Sequence, residues 1–177
     1  MMMNELNFSP FPSFTTERLT LRQLHESDAE AIAVLRSNDI VNQYIDRAKG
    51  KSVEEALDFI HKMNVGFKRN QNLYWAICLK DSAAFIGTCC MWSFSPDNST
   101  AEMGYELHPS YHRKGLIHEA VQPLIQYAFE KLGLQKLEAY THRDNLGSIR
   151  LLQKNNFKQT ERVDTKNANN IVFVLER

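Results

Sequence analysis

A short basic segment with one glycine, Tyr111–His118, has the residue types that could hold a phosphate. It lies between a predicted strand and a long predicted helix. Unpaired N–H groups in the first turn of a helix point out of its end, and the helix dipole adds a partial positive charge there. Gly115 lets the backbone approach a pyrophosphate closely, and Arg113 and Lys114 can neutralise it. Alone, the segment fits an ordinary helix start with solvated cations better than a binding site.

A second polar junction, Asp144–Ser148, follows the next predicted strand along the chain. Asn145 offers an amide donor and acceptor, and Ser148 offers a hydroxyl in the first turn of the next helix. Both residue types are also favoured helix caps. Successive strand-to-helix junctions of such a sheet meet at one edge, where ligands bind. Two polar junctions at that edge therefore favour a binding function over simple capping.

Hydrophobic periodicity predicts the elements that position these junctions. Apolar residues recur at helical spacing from Gly115 to Leu132, with Gly133 placed for a C-terminal cap. Ser27 and Ser52 each open a capping box, so both predict helix starts. Predicted strands are Arg18–Leu24, Leu73–Leu79, Ala84–Phe94, Ala101–Leu107, Lys136–His142, Phe157–Arg162 and Ile171–Glu176, and a further helix covers Asn145–Lys154. Helices between mostly hairpin-connected strands indicate an α+β fold with a mixed sheet.

Length and composition predict one soluble domain. Of the 177 residues, 1–14 form an aromatic-rich N-terminal arm expected to pack on the body or on a partner, and 15–177 form a single domain. Lys plus Arg and Asp plus Glu both number 21, which gives no signature of nucleic-acid binding. No segment resembles a secretory signal or is long and apolar enough to span a membrane. Cys78, Cys89 and Cys90 are interpreted as reduced, buried thiols, which favours a cytoplasmic location.

Taken together, the segments resemble the GCN5-related N-acetyltransferase (GNAT) superfamily, and within it the Rim-type branch of ribosomal-protein N-terminal acetyltransferases. The resemblance runs from Thr16 to the end of the chain. Its motifs are Thr16–Arg22, Ile86–Gly87, Glu102–Tyr105, Leu107–Pro109, Tyr111–Ala120, Asp144–Ser148 and Leu152–Phe157. It implies a mixed, mostly antiparallel central sheet of about seven strands flanked by about four helices. It also implies acetyl-CoA as co-substrate, no metal, and an amine acceptor that is a protein N-terminus or a small molecule. Dimers are common in that branch, so a homodimer is a candidate assembly.

The resemblance also assigns roles to residues. The family's pyrophosphate loop falls on His112–Ile117, where Gly115 matches the pattern and His112 and Ile117 depart from it. Backbone groups of the preceding strand would meet the acetyl carbonyl and the pantetheine arm, and Asn145 would hydrogen-bond the pantetheine. The implied cofactor-binding residues are Leu107, His108, Arg113, Lys114, Gly115, Leu116, Ile117, His118, Asn145 and Ser148.

In the family an amine attacks the thioester directly and CoA leaves as a thiolate. Ser148 is the candidate general acid, with Tyr105 or a water as alternatives. Glu102 is the candidate base, although an ion-paired surface glutamate fits its position equally well, and Glu106 and His108 are lesser candidates. An α-amine, with a pKa near 7.7–8.0, is easier to deprotonate than a lysine side chain, with a pKa near 10.4. A weak base therefore favours an N-terminal or other low-pKa amine as the acceptor.

Another class of function remains open: a catalytically inactive protein of this fold that binds acyl-CoA as a sensor. This alternative is supported by His112 and Ile117, which differ from the family's pyrophosphate-loop pattern. A metal site built from His108, His112, Cys89 and Cys90 lacks any supporting ligand spacing. The sequence contains no Gly-x-Ser-x-Gly elbow and no complete Gly-x-x-x-x-Gly-Lys-Ser/Thr phosphate loop, since Gly50-Lys51-Ser52 has Ile45 where the first glycine would stand.

Overall fold

In the part of the chain that the structure describes, eight strands form one sheet in the order β1-β2-β3-β4-β5-β6-β8-β7. The computed structural model describes residues 5–50 and 52–177. The strands are β1 (Phe14–Thr15), β2 (Leu19–Gln23), β3 (Leu73–Leu79), β4 (Phe85–Trp92), β5 (Thr100–Leu107), β6 (Lys136–His142), β7 (Lys158–Val163) and β8 (Asn170–Glu176). The α-helices are α1 (Ala29–Ser37), α2 (Asp39–Asn42), α3 (Val53–Lys68), α4 (Leu116–Glu130) and α5 (Leu146–Lys154).

One neighbouring pair of strands is parallel, and it stays paired over three residues only. β5 and β6 pair from Thr100 with Lys136 to Glu102 with Glu138, whereas every other neighbouring pair is antiparallel. Beyond Glu138, β6 pairs with β8 alone as far as His142, while β5 continues beside β4 as far as Leu107. The two strands therefore separate, and an open wedge lies between residues 103–107 and 139–142.

The sheet has two faces that are covered by different helices. Leu73, Trp75, Met103 and Leu137 pack with Leu116, Ala120 and Leu124 of α4, and this side is called the α4/α5 face. Ala76 and Cys78 pack with Ile32 of α1 and with Ala56 and Ile60 of α3, and this side is called the α1/α3 face. Burial of both apolar surfaces, at about 25 cal/mol per Å², is the main force that holds the layers together.

Which side chains share a face follows from the register of the strands, because directly paired residues point to the same side. The pairs Cys90–Gly104, Thr88–Glu106, Trp92–Glu102 and Glu102–Glu138 place these residues on the α1/α3 face together with Tyr74 and Ala76. Tyr105 and Leu107, one position out of step, lie on the α4/α5 face. At the wedge, the α4/α5 face therefore presents Tyr105 and the α1/α3 face presents carboxylates such as Glu106.

The expected counts of about seven strands and about four helices are each one lower than the eight strands and five α-helices of the described residues. The additional elements are β1, which has two residues, and α2, which has four. Neither is long enough to show a hydrophobic period. Asn38 sets the start of α2, since its side chain accepts hydrogen bonds from the N–H groups of Ile40 and Val41.

The capping box predicted at Ser27 is also wrong. A 3-10 turn covers Glu26–Asp28, and α1 begins at Ala29. The carboxylate of Asp28 accepts a hydrogen bond from His25 N at 2.8 Å and pairs with Arg22, whose Nη2 lies 2.8 Å from Oδ1. The second capping box is correct at its first residue, because Ser52 Oγ accepts from Glu55 N at 3.1 Å.

The N-terminal arm packs on the body of the protein, as its aromatic residues predicted. Phe8 is buried and contacts Phe94, while Phe11 and Phe14 both contact Trp75. The indole Nε1 of Trp75 donates to Pro12 O at 2.6 Å. Residues 1–4 of the arm lie outside the described residues.

Two predicted left-handed residues are confirmed: φ is 70° at Gly133, after α4, and 66° at Asn156, after α5. The three cysteines are buried free thiols, also as expected. Within the described chain, no helix combines the length and the apolar character needed to cross a membrane.

Candidate active site

The wedge between β5 and β6 is lined on one side by backbone groups of β5. His108 N donates to Ile86 O at 2.8 Å, so Ile86 and His108 form a hydrogen-bonded antiparallel pair. The next pair, Gly87 with Leu107, is then of the non-bonded kind, and the N–H of Leu107 points away from β4 and into the wedge. Of the two predicted backbone donors, Leu107 is therefore directed at the wedge, whereas the N–H of His108 is used within the sheet.

His112, which departs from the family pattern, contacts the same strand. Its Nε2 lies 2.8 Å from Leu107 O, and it acts as the donor because a carbonyl oxygen only accepts. The ring therefore occupies the Leu107 carbonyl, and the N–H of that residue remains directed at the wedge.

The basic segment forms a tight loop ahead of α4. Arg113 and Gly115 have φ of 61° and 73°, and both are left-handed. The first amide bonded inside the helix is Glu119 N, which donates to Gly115 O at 3.1 Å. The N–H groups of Leu116, Ile117 and His118 precede it and have no carbonyl within the helix to bond. They are available to hydrogen-bond an anion at the helix end.

Side chains around this loop leave its end open. Gly115 carries no Cβ, and one added there would come no closer than 3.7 Å to Arg18 Nη2. Ile117 packs against the core of the α4/α5 face, so the departure at this position does not fill the loop. Arg113 and Lys114 are exposed, and Lys114 Nζ lies 5.5 Å from the ring centre of Tyr111.

Side-chain contacts from Thr16 and Arg18 hold the loop in place, and the sequence analysis did not predict them. Arg18 Nη1 donates to Lys114 O at 2.9 Å, and Arg18 Nε lies 2.7 Å from Glu119 Oε2. Thr16 Oγ1 donates to Glu119 Oε1 at 2.6 Å. These contacts join residues about a hundred positions apart, and no local pattern signals them.

The polar junction after β6 supplies the second wall of the wedge. Asn145 Oδ1 accepts from Ser148 N at 3.2 Å, so Asn145 caps α5. Ser148 Oγ lies 2.6 Å from the hydroxyl of Tyr105. Burial raises the pKa of Tyr105 to about 12, although the Ser148 hydrogen bond opposes the rise. The tyrosine thus keeps its proton at neutral pH, and the two hydroxyls form a chain that can donate one proton.

Glu102, the candidate base, lies on the opposite face of the sheet from the Tyr105–Ser148 pair. Burial raises the pKa of its carboxyl to about 7, and the nearby carboxylates of Glu138 and Asp164 act in the same direction. The charge of Lys166 and a hydrogen bond from Trp92 oppose the rise. A carboxyl that titrates near neutral pH can accept a proton and release it again, which suits a general base.

Glu138, Arg162 and Arg47, which lie beside Glu102 or Glu106, were not predicted either. Glu138, which pairs with Glu102 across the parallel strands, forms an ion pair with Arg162 and accepts from the hydroxyl of Tyr140 at 3.0 Å. Glu106, on the same face, forms a bidentate pair with Arg47 in the segment after α2. That segment also reaches β6, since the ring of Tyr44 lies 5.2 Å from the ring of His142.

His118 faces a separate cavity of about 270 Å³ between α4 and α5. Its Nδ1 is buried and has no hydrogen-bond partner among the described residues. Gln122 and Asn155 close one side of this cavity with a hydrogen bond. The backbone of His118 belongs to the loop site and its ring to this neighbouring cavity.

The site thus combines an anion-binding helix end, a backbone N–H directed into an open wedge, a proton donor on one face and a proton acceptor on the other. This arrangement suits an acyl transfer in which an extended, phosphate-bearing donor is held beside a nucleophile. The unbonded amides, the side-chain-free turn at Gly115 and the wedge fit the acetyl-CoA that the sequence resemblance implies.

Comparisons with known proteins give consistent matches over most of the chain. A family model described as an acetyltransferase (GNAT) domain matches residues 18–158. The uncharacterized N-acetyltransferase YoaA of Bacillus subtilis (strain 168) is 34% identical over 149 residues, which cover 84% of this chain and 84% of YoaA. A solved GNAT-family acetyltransferase from Bacillus anthracis has a TM-score of 0.80 at 22% identity and covers 93% of this chain and 98% of its own. RimL, the ribosomal L7/L12 alpha-N-protein acetyltransferase solved with coenzyme A, has a TM-score of 0.78 at 20% identity, with 93% and 96% covered.

Proposed function

Because the chain belongs to the GNAT acetyltransferase family and is an N-acetyltransferase, we propose that it acetylates a weakly basic primary amine, the α-amine of a peptide or a small-molecule amine. The wedge between β5 and β6 is the observation that carries the proposal. Leu107, Tyr105 and Glu102 belong to β5, which borders this wedge, and Tyr105 hydrogen-bonds Ser148, which supports the proposal.

The helix end at Gly115 has the role of holding the donor. Acetyl-CoA supplies the thioester whose acetyl group passes to the amine. The amides of Leu116, Ile117 and His118 bind its pyrophosphate, and Arg113 and Lys114 add positive charge. The N–H of Leu107 stabilises the negative charge that develops on the acetyl oxygen, a contribution of about 3 kcal/mol per donor.

Proton handling is divided between the two faces. Glu102 accepts a proton from the amine, directly or through a water, and the Tyr105–Ser148 pair donates one to the departing sulfur. A carboxyl with a pKa of about 7 is well matched to an α-amine near 7.7–8.0 and less well to a lysine near 10.4. The Rim-type branch is part of the proposal, supported by the sequence motifs and by the fold shared with RimL, which is named for an α-amine acceptor.

Mass spectrometry of an amine panel after incubation with acetyl-CoA tests the proposal. The panel holds peptides with free α-amines, the same peptides carrying lysine with a blocked α-amine, and small-molecule amines, while release of free CoA thiol is followed in parallel. We expect acetylation of α-amines to exceed that of lysines. Ser148→Ala and Tyr105→Phe should lower kcat about tenfold or more and leave binding of CoA nearly unchanged.

The sensor alternative predicts a different result. If calorimetry detects tight binding of acetyl-CoA but no amine in the panel is acetylated, the chain is a sensor and the proposal is wrong. If CoA and its acyl forms do not bind at all, the assignment of the helix end at Gly115 also fails.

A further inference from the structure

Three charged side chains, those of Glu106, Arg47 and Arg36, interact with one another on the α1/α3 face. Glu106 is held by both guanidinium nitrogens of Arg47, and the two side chains are only 11% and 15% exposed. Arg36, from the last turn of α1, is the second cation. Two arginines and one carboxylate leave one positive charge that is not neutralised.

The charge of Arg36 is half-buried and lacks a carboxylate partner. Its guanidinium lies 4.3 Å from the ring centre of Phe59, which in turn contacts Tyr74. No ion pair to Arg36 forms within residues 5–50 and 52–177. Burial and the charge of Arg47 lower the pKa of Arg36, while Glu106 and Tyr74 oppose the change. Burying a cation is costly unless an anion compensates it.

Arg36 also lines a cavity of about 180 Å³ between α1 and α3. Lys49, Ser52 and Glu55 contribute the other polar groups of the lining, and Ala33, Ala48, Gly50, Ala56 and Phe59 the rest. Lys49 is already paired with Asp39. The space is sufficient for a small anionic group and is not large enough for a whole peptide or nucleotide.

The position of this cluster connects it to the acceptor. Glu106 directly precedes Leu107, whose N–H points into the wedge, and Glu106 and Glu102 lie on the same face. Because Glu106 interacts electrostatically with Arg36 and is bound by Arg47, an amine that reaches Leu107 from the α1/α3 side passes the group formed by Arg36, Arg47 and Glu106.

We propose that Arg36 binds an anionic group, a carboxylate or a phosphate, on the acceptor, so that this enzyme selects amines that carry a negative charge near the amino group. The inference rests on the proposed function and names the substrate class within it. Arg36 gains its missing counter-charge from the acceptor, and Arg47 stays engaged with Glu106 and adds long-range attraction. Charge-assisted hydrogen bonds of this kind give a preference of about tenfold or more.

Matched acceptors that differ only in the anion test the proposal: alanyl-aspartate amide against alanyl-asparagine amide, and phosphoserine amide against serine amide. We expect kcat/KM to be about tenfold higher for the anionic member, mainly through KM. The pair with the larger ratio of kcat/KM shows whether the site prefers a carboxylate or a phosphate. Arg36→Met, which keeps an unbranched side chain on Phe59, should abolish the preference, and Arg36→Lys should retain part of it. Arg69→Met, an exposed arginine at the far end of α3, is the matched control and should change nothing.

A binding measurement decides the inference without turnover. Calorimetry with N-acetyl-aspartate amide and N-acetyl-asparagine amide should show tighter binding of the anion to the wild type and equal binding to Arg36→Met. Equal affinity in the wild type, or a preference that survives in Arg36→Met, overturns the inference. Equal acetylation of both members of each pair would leave the proposed function standing while this inference fails, whereas acetylation of none would contradict the proposed function and leave calorimetry to decide the inference.

Discussion

Replacing Glu102 with glutamine should remove a pH-dependent step whose midpoint follows from the structure. Burial raises the pKa of Glu102 to about 7, so about a tenth of the carboxyl is ionised at pH 6 and about nine tenths at pH 8. If the carboxylate is the base, kcat/KM of the wild type should rise about tenfold over this range. Glu102→Gln should lack that rise and be slower at pH 8.

The acceptor amine titrates in the same range, so the assay must separate the two groups. The ratio of wild-type to Glu102→Gln kcat/KM at each pH cancels the ionisation of the amine, and thiol release from acetyl-CoA gives the rates. Glu138→Gln removes a carboxylate that raises the pKa of Glu102, so its profile should shift to lower pH. Glu130→Gln, an exposed residue at the end of α4, is the control. A ratio that stays constant between about pH 6 and 8 would refute the role of Glu102 as base.

The raised pKa of Glu102 also predicts that Glu102→Gln is more stable to unfolding than the wild type at alkaline pH. A carboxyl whose folded pKa lies above its unfolded value favours the folded state less as pH rises from about 4.5 to about 7. Above pH 7 the ionised carboxylate therefore lowers the free energy of unfolding, by about 3 kcal/mol at most. Because the group is only half-buried, solvent screening reduces this to about 1–2 kcal/mol. Urea denaturation at pH 8 should find Glu102→Gln more stable than the wild type by that amount, and the difference should vanish near pH 4.

Three further substitutions test the parts that hold the site together. Gly115→Ala places a side chain at φ 73°, so urea denaturation should show a loss of about 1 kcal/mol, and any shift of the loop that relieves this strain should lower CoA affinity in calorimetry. Gly87→Ala would bring a Cβ within 2.2 Å of Glu106 O, and urea denaturation should show a loss of about 2 kcal/mol or more together with lower kcat. Burial opposes ionisation of Glu119, but hydrogen bonds from Thr16 and Arg18 lower the pKa of its carboxyl. Glu119→Gln should therefore lose about 1 kcal/mol at pH 7, and the difference should shrink as pH falls from 4.5 through the lowered pKa of Glu119, where the wild-type carboxylate takes up a proton; a pH-independent difference would contradict this account.

Sequence patterns predicted the parts of the site that are local. The helix after Gly115, the cap at Asn145 and the turn at Asn156 each depend on residues within a few positions of one another. Ser148 and Glu102 could be named because motifs of fixed spacing contain them. The hydrogen bond between Ser148 and Tyr105 could not be predicted, because it depends on how α5 packs on β5.

Long-range contacts account for what the sequence left undetermined. Arg18 reaches Glu119 and Lys114, and Arg47 reaches Glu106, through contacts that join residues far apart in the chain. The pKa of Glu102 depends on Glu138 and Asp164, which belong to later strands and loops. The elements β1 and α2 were missed because a two-residue strand and a four-residue helix are too short to repeat a pattern.

The two tryptophans make binding visible without a label. Trp75 is fully buried beneath the N-terminal arm, whereas Trp92 is 45% exposed and hydrogen-bonds Glu102. A collisional quencher such as acrylamide can therefore reach Trp92 and not Trp75. An acceptor that settles over Glu102 would shield that indole, so intrinsic fluorescence can report occupancy of the amine side of the sheet independently of the donor side.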